Sequence, residues 1–153
     1  MTALNVTDAF ALSVDSVRFG NHPDKTRIVL ELSEAADFRT FVLRQPNRLV
    51  IDLPVFAWNP SNSFRENPAG IKAVRQGKLN QDVSRIVFDL ERMASVQNAF
   101  LLPRDQGRPD RLVIDIIKDG KTGFQAAQKE IFGTLSVEQR LISTQQRTAS
   151  FSG

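Results

Sequence analysis

Cysteine is absent from this sequence and histidine occurs once, as His22, which removes most routes to a catalytic or metal site. Without cysteine the chain forms neither disulfides nor thiolate metal sites, and it suits any redox compartment. A catalytic zinc ion generally has about three protein ligands, whereas a lone histidine in a turn before Pro23 is usually a surface residue. No glycine loop cradles phosphate, and no serine has a histidine partner other than His22. We therefore expect no enzymatic activity, no metal site and no cofactor in this segment.

Long apolar runs and blocks of like charge are also missing. No run approaches the ~18 apolar residues of a membrane span, so no membrane insertion is expected. The first residues lack the basic and apolar regions of a secretory signal, so the protein is either cytoplasmic or exported by a signal peptide outside this sequence. The 20 basic and 17 acidic residues give a net charge of +3. Because the arginines are mainly isolated on predicted strands, nucleic acid is not an expected partner.

The aromatic residues limit the kinds of ligand that the protein can bind. With no tyrosine and a single tryptophan, Trp58, the sequence offers little for the stacking platform typical of many carbohydrate binders. Trp58, near Pro60, is either a single stacking residue or a residue that packs over a sheet edge. We therefore expect recognition of peptides and charged groups more than of sugar faces.

The strongest positive signal is an internal repeat. Arg27–Leu32 and Arg48–Leu53 recur in the same order as Arg85–Leu90 and Arg111–Ile116. The flanking segments match as well, Val17–Gly20 with Val74–Gly77 and Phe41–Leu43 with Phe100–Leu102. Matches in order over several segments indicate a duplicated β unit.

The repeat predicts one all-β domain over residues 12–118. A chain of 153 residues with 41% hydrophobic residues is long enough for one core. The repeats cover 12–53 and 71–117, and the connector 54–70 is rich in proline, asparagine and serine. Each repeat holds four short strands bounded by turn residues, which predicts a sandwich of two similar four-stranded sheets, one from each repeat. The first strand is expected to be bulged, because its apolar phase shifts by one residue between Leu12/Val14 and Val17/Phe19.

The ends of the chain have a different character from the repeats. Residues 1–11 form an N-terminal extension, and residues 119–153 form a linker or partly helical tail. Phe124–Phe132, ended by Gly133, is compatible with a helix. A capping box at Ser136 predicts a second short helix over Val137–Arg147.

Strand alternation divides the repeated strands into two faces. In the strand that begins at Arg48, the leucines and isoleucine point one way, while Arg48, Val50 and Asp52 point the other way. The same phase in all four strands predicts a charged outer face of Arg27, Glu31, Arg48, Asp52, Arg85, Asp89, Arg111 and Asp115. Arg18 and Arg75 extend this basic surface.

Two interpretations of these outer faces remain. In the first interpretation they are ordinary solvated faces, with cross-strand ion pairs that contribute about 0.2–1 kcal/mol each. Alternatively, the Arg and carboxylate pairs bind a polymeric ligand that carries carboxylates and hydroxyl or amide groups. Repetition on both faces favours the second interpretation.

Several of these segments resemble the AMIN domain. The resemblance lies in the Val-Arg start, in His22–Leu32, in Pro46–Pro54 and in their echoes in the second half, and covers about Val14 to Ile116. AMIN domains precede the catalytic domain of periplasmic N-acetylmuramoyl-L-alanine amidases of the AmiC type and also occur in secretins of pilus systems. The resemblance implies a sandwich with its motifs on the outer faces, so the outer charged residues above are its implied ligand-binding residues.

The resemblance also implies a function. It is that of a non-catalytic peptidoglycan-binding module that targets a cell-wall amidase to the septum, in the periplasm of a Gram-negative bacterium, with divisome proteins as further partners. Zinc is expected only in a catalytic domain outside this sequence. The alternative is a protein-interaction domain of a septal or pilus-secretin assembly, which binds a partner by a sheet edge or an Arg/Asp surface.

Overall fold

The computed structural model describes residues 11–60, 70–118, 131–133 and 135, and this part of the chain is all β. Its strands are β1 (Leu12–Asn21), β2 (Thr26–Leu32), β3 (Arg39–Leu43), β4 (Arg48–Pro54), β5 (Phe56–Trp58), β6 (Ile71–Lys78), β7 (Val83–Leu90), β8 (Ala94–Leu102) and β9 (Asp110–Lys118). The eight predicted strands are all present. Over the same residues there is no helix with the length and hydropathy that a membrane crossing requires.

The strands form two sheets, and each sheet contains strands from both repeats. Sheet A has five strands in the order β5-β1-β2-β9-β8, and sheet B has four in the order β3-β4-β7-β6. Only the pair of β1 and β5 is parallel among the described strand pairs. The predicted β-sandwich is confirmed, but the expectation of one sheet from each repeat is wrong.

The exchange of strands follows from how the chain connects them. Alternation decides which side chains point inward, but it leaves the pairing partner of each strand open. In both repeats the connection after the second strand crosses to the other sheet, over 33–38 after β2 and over 91–93 after β7. As a result β2 pairs with β9, and β4 pairs with β7. The sandwich therefore has an approximate two-fold symmetry that relates β1–β4 to β6–β9.

The core lies between the sheets and consists mainly of the apolar residues that alternation predicted to face inward. In β2, β4, β7 and β9 the innermost side chains are 0% exposed, as at Ile28, Leu30, Leu49, Ile51, Ile86, Phe88, Leu112 and Ile114. Burial of each such side chain stabilises the fold by about 1.5–3 kcal/mol. The predicted bulge in β1 is confirmed as a register shift between Val14 and Ser16, and β6 has the corresponding shift between Ile71 and Ala73.

The predicted connector 54–70 contains a strand that the sequence did not reveal. After β4 the chain crosses to sheet A, where β5 pairs in parallel with the start of β1, Phe56 opposite Leu12 and Trp58 opposite Val14. Trp58 packs against the core. It therefore takes the second of its two predicted roles, packing at a sheet edge.

The described part of the tail packs on sheet B. The N–H of Thr40 donates to the carbonyl of Phe132, and the N–H of Phe132 donates to the carbonyl of Thr40, both at 2.9 Å. Leu135 is 2% exposed. The predicted helix over 124–132 is therefore wrong at its end, because Phe132 is in a β-bridge beside β3. The rest of that helix and the one predicted over 137–147 lie outside the described residues.

Candidate functional site

The outer faces of the two sheets carry the same three rows of side chains in corresponding positions. On sheet B the rows across β3, β4, β7 and β6 are Arg39–Asp52–Arg85–Gly77, Phe41–Val50–Val87–Arg75 and Leu43–Arg48–Asp89–Ala73. On sheet A the rows across β8, β9, β2 and β1 are Asn98–Asp115–Arg27–Gly20, Phe100–Val113–Val29–Arg18 and Leu102–Arg111–Glu31–Ser16. All ten charged residues predicted for the outer faces belong to these rows.

The first row of each face holds a buried aspartate that arginine side chains enclose. On sheet B, Arg85 donates from Nε and Nη2 to the two oxygens of Asp52 at 2.7 and 2.9 Å, and Arg39 donates at 2.5 Å. On sheet A, Arg27 donates to Asp115 at 2.8 and 3.0 Å. Asp52 is 0% exposed and Asp115 2% exposed. A ligand on either surface therefore meets the arginines and not these aspartates.

The charge state of the first row follows from the same contacts. The hydrogen bonds from Arg27 hold the pKa of Asp115 below its usual value against the opposing effect of burial, and Lys25, 3.4 Å away, contributes in the same direction. The hydrogen bond to Asp115 raises the pKa of Arg27, and the bond to Asp52 raises the pKa of Arg85. Each aspartate is bound by an arginine from the other repeat, so these pairs join the two halves of the sandwich.

On each face the carboxylate of the third row binds the second-row arginine of the neighbouring strand. Arg75 donates to both oxygens of Asp89 at 2.9 and 3.1 Å, which raises the pKa of Arg75. Arg18 lies 2.6 Å from Glu31. The side chains of Arg75 and Arg18 are 61% and 58% exposed, so water screens both pairs and they stabilise the fold little.

Arg48 and Arg111 differ from the other outer arginines. Each lies beside a carboxylate in its row, yet Nε of Arg48 donates to the carbonyl of Pro46 at 3.0 Å and Nε of Arg111 donates to the carbonyl of Pro109 at 3.2 Å. Among the described residues neither forms an ion pair. Both side chains are partly exposed. Each face therefore presents one oriented guanidinium whose charge no described carboxylate neutralises.

The second row of each face, next to the row that holds Arg48 or Arg111, begins with a phenylalanine. Phe41 on sheet B lies under the guanidinium carbons of Arg39 and Arg85, which are 5.8 and 5.6 Å from its ring centroid. Phe100 occupies the same place on sheet A. Both rings are partly exposed, and sequence reasoning did not include them in the site. The repeated Phe-x-Leu that flanks each repeat was the signal that could have identified them.

The geometry separates the predicted site residues into two groups. Arg27 and Arg85 bind the buried Asp115 and Asp52, while Arg18 and Arg75 bind Glu31 and Asp89, so these eight residues are already paired within the fold. Arg48 and Arg111 are the pair that remains available to a ligand. His22 is exposed in the β1–β2 turn. No group of three potential metal-ligating side chains occurs in the described residues.

Comparison with known proteins identifies the family to which a chain with this arrangement belongs. The model of the AMIN domain matches residues 16–116, which contain all three rows of each face and all but the outermost residues of the two repeats. This chain belongs to the AMIN domain family. Among curated proteins it is 31% identical over 116 residues to the N-acetylmuramoyl-L-alanine amidase AmiC of Neisseria meningitidis serogroup B, covering 72% of this chain and 28% of that protein.

A second relative has the same name. It is the N-acetylmuramoyl-L-alanine amidase AmiC of Escherichia coli O6:H1, 26% identical over 121 residues, which are 76% of this chain and 29% of that protein. The chain therefore spans less than a third of the length of the relatives that it matches.

Proposed function

We propose that this AMIN domain is a non-catalytic module that binds peptidoglycan through Arg48 and Arg111, one on each outer face. The observation that supports this function is the equivalent placement of the two arginines. Each donates through Nε to a carbonyl, and Nη2 of Arg48 donates in addition to the carbonyl of Arg44 at 3.5 Å, so the guanidinium is oriented before a ligand arrives. Pre-orientation lowers the entropy cost of binding.

The chemistry of a guanidinium favours the peptide part of the wall over its sugars. Arginine donates to carboxylates in a planar, often bidentate geometry, and stem peptides of peptidoglycan carry carboxylates. Phe41 and Phe100 provide a small apolar surface next to each arginine, while Trp58 is engaged with the core. Each face therefore suits a carboxylate next to an aliphatic side chain, a combination found in stem peptides.

The proposal extends to the whole protein, whose role we infer from the names of its relatives. The matched relatives carry the name of amidases that cleave the bond between muramic acid and the stem peptide. In such a protein, the module would hold a catalytic domain near its substrate in the periplasm and concentrate it at the division septum. Two faces that bind together give an avidity well above that of either face alone.

Sedimentation with purified insoluble sacculi tests wall binding. The wild-type protein is expected to pellet at low salt, and Arg48→Glu and Arg111→Glu are each expected to pellet less. A lost hydrogen bond to a charged group costs about 1.5–3 kcal/mol, so affinity should fall about tenfold or more for each variant. Arg108→Glu is the matched control, because Arg108 is 60% exposed in the β8–β9 loop and outside both faces.

Two results would reject the proposal at different levels. Wild-type protein that stays in the supernatant at low salt would exclude wall binding altogether. Wild-type protein that pellets together with both face variants to the same extent would retain wall binding and reject Arg48 and Arg111 as its residues.

A second candidate function is a protein-interaction domain of a septal or pilus-secretin assembly. It is favoured by the sheet edges: β6 and β8 each have only one neighbouring strand among the described elements. Edge strands of this kind accept a strand from a partner. Co-purification of a folded partner without wall material would support this function, and binding of the isolated domain to sacculi would favour the first.

A further inference from the structure

Ile131, in the described part of the tail, lies on the outer face of sheet B. The two hydrogen bonds between Thr40 and Phe132, both 2.9 Å, make these residues a directly opposed antiparallel pair. Thr40 is 0% exposed and Phe132 packs against the core, so both side chains point into the sandwich. Because side chains alternate along a strand, those of Ile131 and Phe41 point outward.

The register of this bridge adds Ile131 to the second row of sheet B. In an antiparallel pair, the residue before Phe132 is opposite the residue after Thr40. Ile131 is therefore opposite Phe41, with the two Cβ atoms about 4.5–5.5 Å apart. The second row of this face then consists of Ile131, Phe41, Val50, Val87 and Arg75.

The residues that follow Ile131 fix its position, although its own side chain faces water. Leu135 is 2% exposed. Gly133 has a φ of 83°, and a Cβ there would clash with the carbonyl oxygen of Phe38. Ile131 itself is 62% exposed, and Leu79 is the other large apolar side chain exposed among the described residues. The fold thus anchors this segment and presents an isoleucine at a defined place on the outer face.

Sheet A has no counterpart of Ile131 in the ranges that the structure describes. Its second row begins at Phe100 of β8, and no described strand or bridge pairs with the other side of β8. Ile131 also lies outside residues 16–116, which the AMIN model matches. Both faces therefore have a ligand arginine, but only sheet B has this additional apolar side chain.

We propose that Ile131 is a binding residue of the sheet-B site, where it contacts an aliphatic side chain of a peptide whose carboxylate binds Arg48. This inference rests on the proposed binding of stem peptides and adds a residue to one of the two faces. The guanidinium carbons of Arg39 and Arg85 lie over the ring of Phe41. Ile131 is therefore the more exposed apolar side chain at this end of the row.

The spacing of the sheet limits the ligand that can reach both residues. Neighbouring rows are about 6.7 Å apart along the strands, and neighbouring strands are about 4.8 Å apart. Ile131 lies one row and two strands from Arg48, so their Cα atoms are about 12 Å apart. An extended peptide rises about 3.3 Å per residue, so the carboxylate and the aliphatic side chain should be about three to four residues apart.

Variants with a single ligand arginine isolate the sheet-B site for a test. Arg111→Glu retains the arginine of sheet B alone, and Arg48→Glu retains that of sheet A alone. A soluble muropeptide that retains its stem-peptide carboxylates is titrated into each isotope-labelled variant, and amide NMR shifts give the dissociation constant. Adding Ile131→Ser should weaken binding about three- to tenfold in Arg111→Glu, because an apolar contact is lost, and should leave it unchanged in Arg48→Glu.

Two further substitutions separate a specific contact from a general loss of apolar surface. Leu79→Ser is the matched control, because Leu79 is 45% exposed in the β6–β7 turn and belongs to neither face. It should leave binding unchanged, and a loss as large as that from Ile131→Ser would overturn the inference. Ile131→Val keeps an aliphatic side chain and should bind within about twofold of its parent, whereas a loss equal to that of Ile131→Ser would contradict an apolar contact.

The outcomes distinguish this inference from the proposed function. Unchanged affinity on adding Ile131→Ser to Arg111→Glu, an equal loss in both parent variants, or no binding by Arg111→Glu would overturn the role of Ile131 and leave wall binding by sheet A intact. If the wild-type protein does not bind the muropeptide, the proposed function and this inference fail together.

Discussion

Replacement of Asp52 by asparagine should destabilise the protein more than the same replacement at any other outer carboxylate. Asp52 is 0% exposed and accepts hydrogen bonds from Arg39 and Arg85, whose side chains are 19% and 28% exposed. Asp52→Asn keeps the shape of the side chain but removes the negative charge and one acceptor oxygen. Two poorly solvated guanidinium groups then lose their counter-ion.

The magnitude follows from burial. Breaking a buried ion pair by removing one partner costs about 3–5 kcal/mol. Because the amide oxygen of asparagine still accepts a hydrogen bond, we expect Asp52→Asn to cost about 3 kcal/mol, at the lower end of that range. Asp115→Asn makes the corresponding change on sheet A, but its partner Arg27 is 38% exposed, so solvent screening reduces the expected loss to about 1 kcal/mol. Asp89→Asn, whose partner Arg75 is 61% exposed, should show the smallest loss of the three.

Urea unfolding followed by the fluorescence of Trp58 measures all three variants. The urea midpoint should decrease most in Asp52→Asn, less in Asp115→Asn and least in Asp89→Asn. The slope m should stay unchanged because the same surface is exposed on unfolding. A loss of less than about 1 kcal/mol for Asp52→Asn, or an equal loss at Asp89, would refute the argument that burial makes the first row structural.

Three further predictions concern the rest of the fold. Because the pKa of Asp115 is lowered in the folded state, its ionised carboxylate stabilises the fold above about pH 4, and this stabilisation is lost as the pH falls through the folded-state pKa. The free energy of unfolding, measured from pH 5 to 2, should therefore depend less on pH in Asp115→Asn than in the wild type. The same pH dependence in both proteins would contradict this. Gly133→Ala should release the bridge between Phe132 and Thr40, since a Cβ at Gly133 would clash with the carbonyl oxygen of Phe38, and faster hydrogen exchange at the Thr40 amide would show it. Phe56→Ala should cost about 3–5 kcal/mol in urea unfolding, and a loss below about 1 kcal/mol would mean that β5 contributes little to the core.

The sequence predicted the faces of the strands better than their partners. The alternation of Arg48–Leu53 was enough to place Leu49 inside and Arg48 outside, because a strand has only two faces. Nothing in the repeated strings specifies that β4 pairs with β7 of the other repeat, since the four strands are nearly identical and each could pair with any other. The connections over 33–38 and 91–93, which cross between the sheets, decide the pairing. The direction in which they cross depends on how the two sheets pack together.

The site shows the same division between what was predictable and what was not. Ten of the eleven charged residues in the rows were identified and Arg39 was missed, while the division into paired and available groups depends on side-chain geometry. Arg27 and Arg48 have the same place in similar strings, yet one binds a buried aspartate and the other a proline carbonyl. β5 was missed because three residues beside Pro54 and Pro60 have no alternation to detect.

The central claim is that Arg48 and Arg111 are equivalent ligand-binding groups on opposite faces. Its most direct test is an NMR titration of the protein, labelled at the arginine Nε–H groups, with a soluble muropeptide that retains its stem-peptide carboxylates. The Nε–H signals of Arg48 and Arg111 should both shift saturably, while those of Arg27 and Arg85 stay nearly constant because they bind Asp115 and Asp52. Shifts at neither Arg48 nor Arg111, or shifts at Arg27 and Arg85 alone, would contradict the claim.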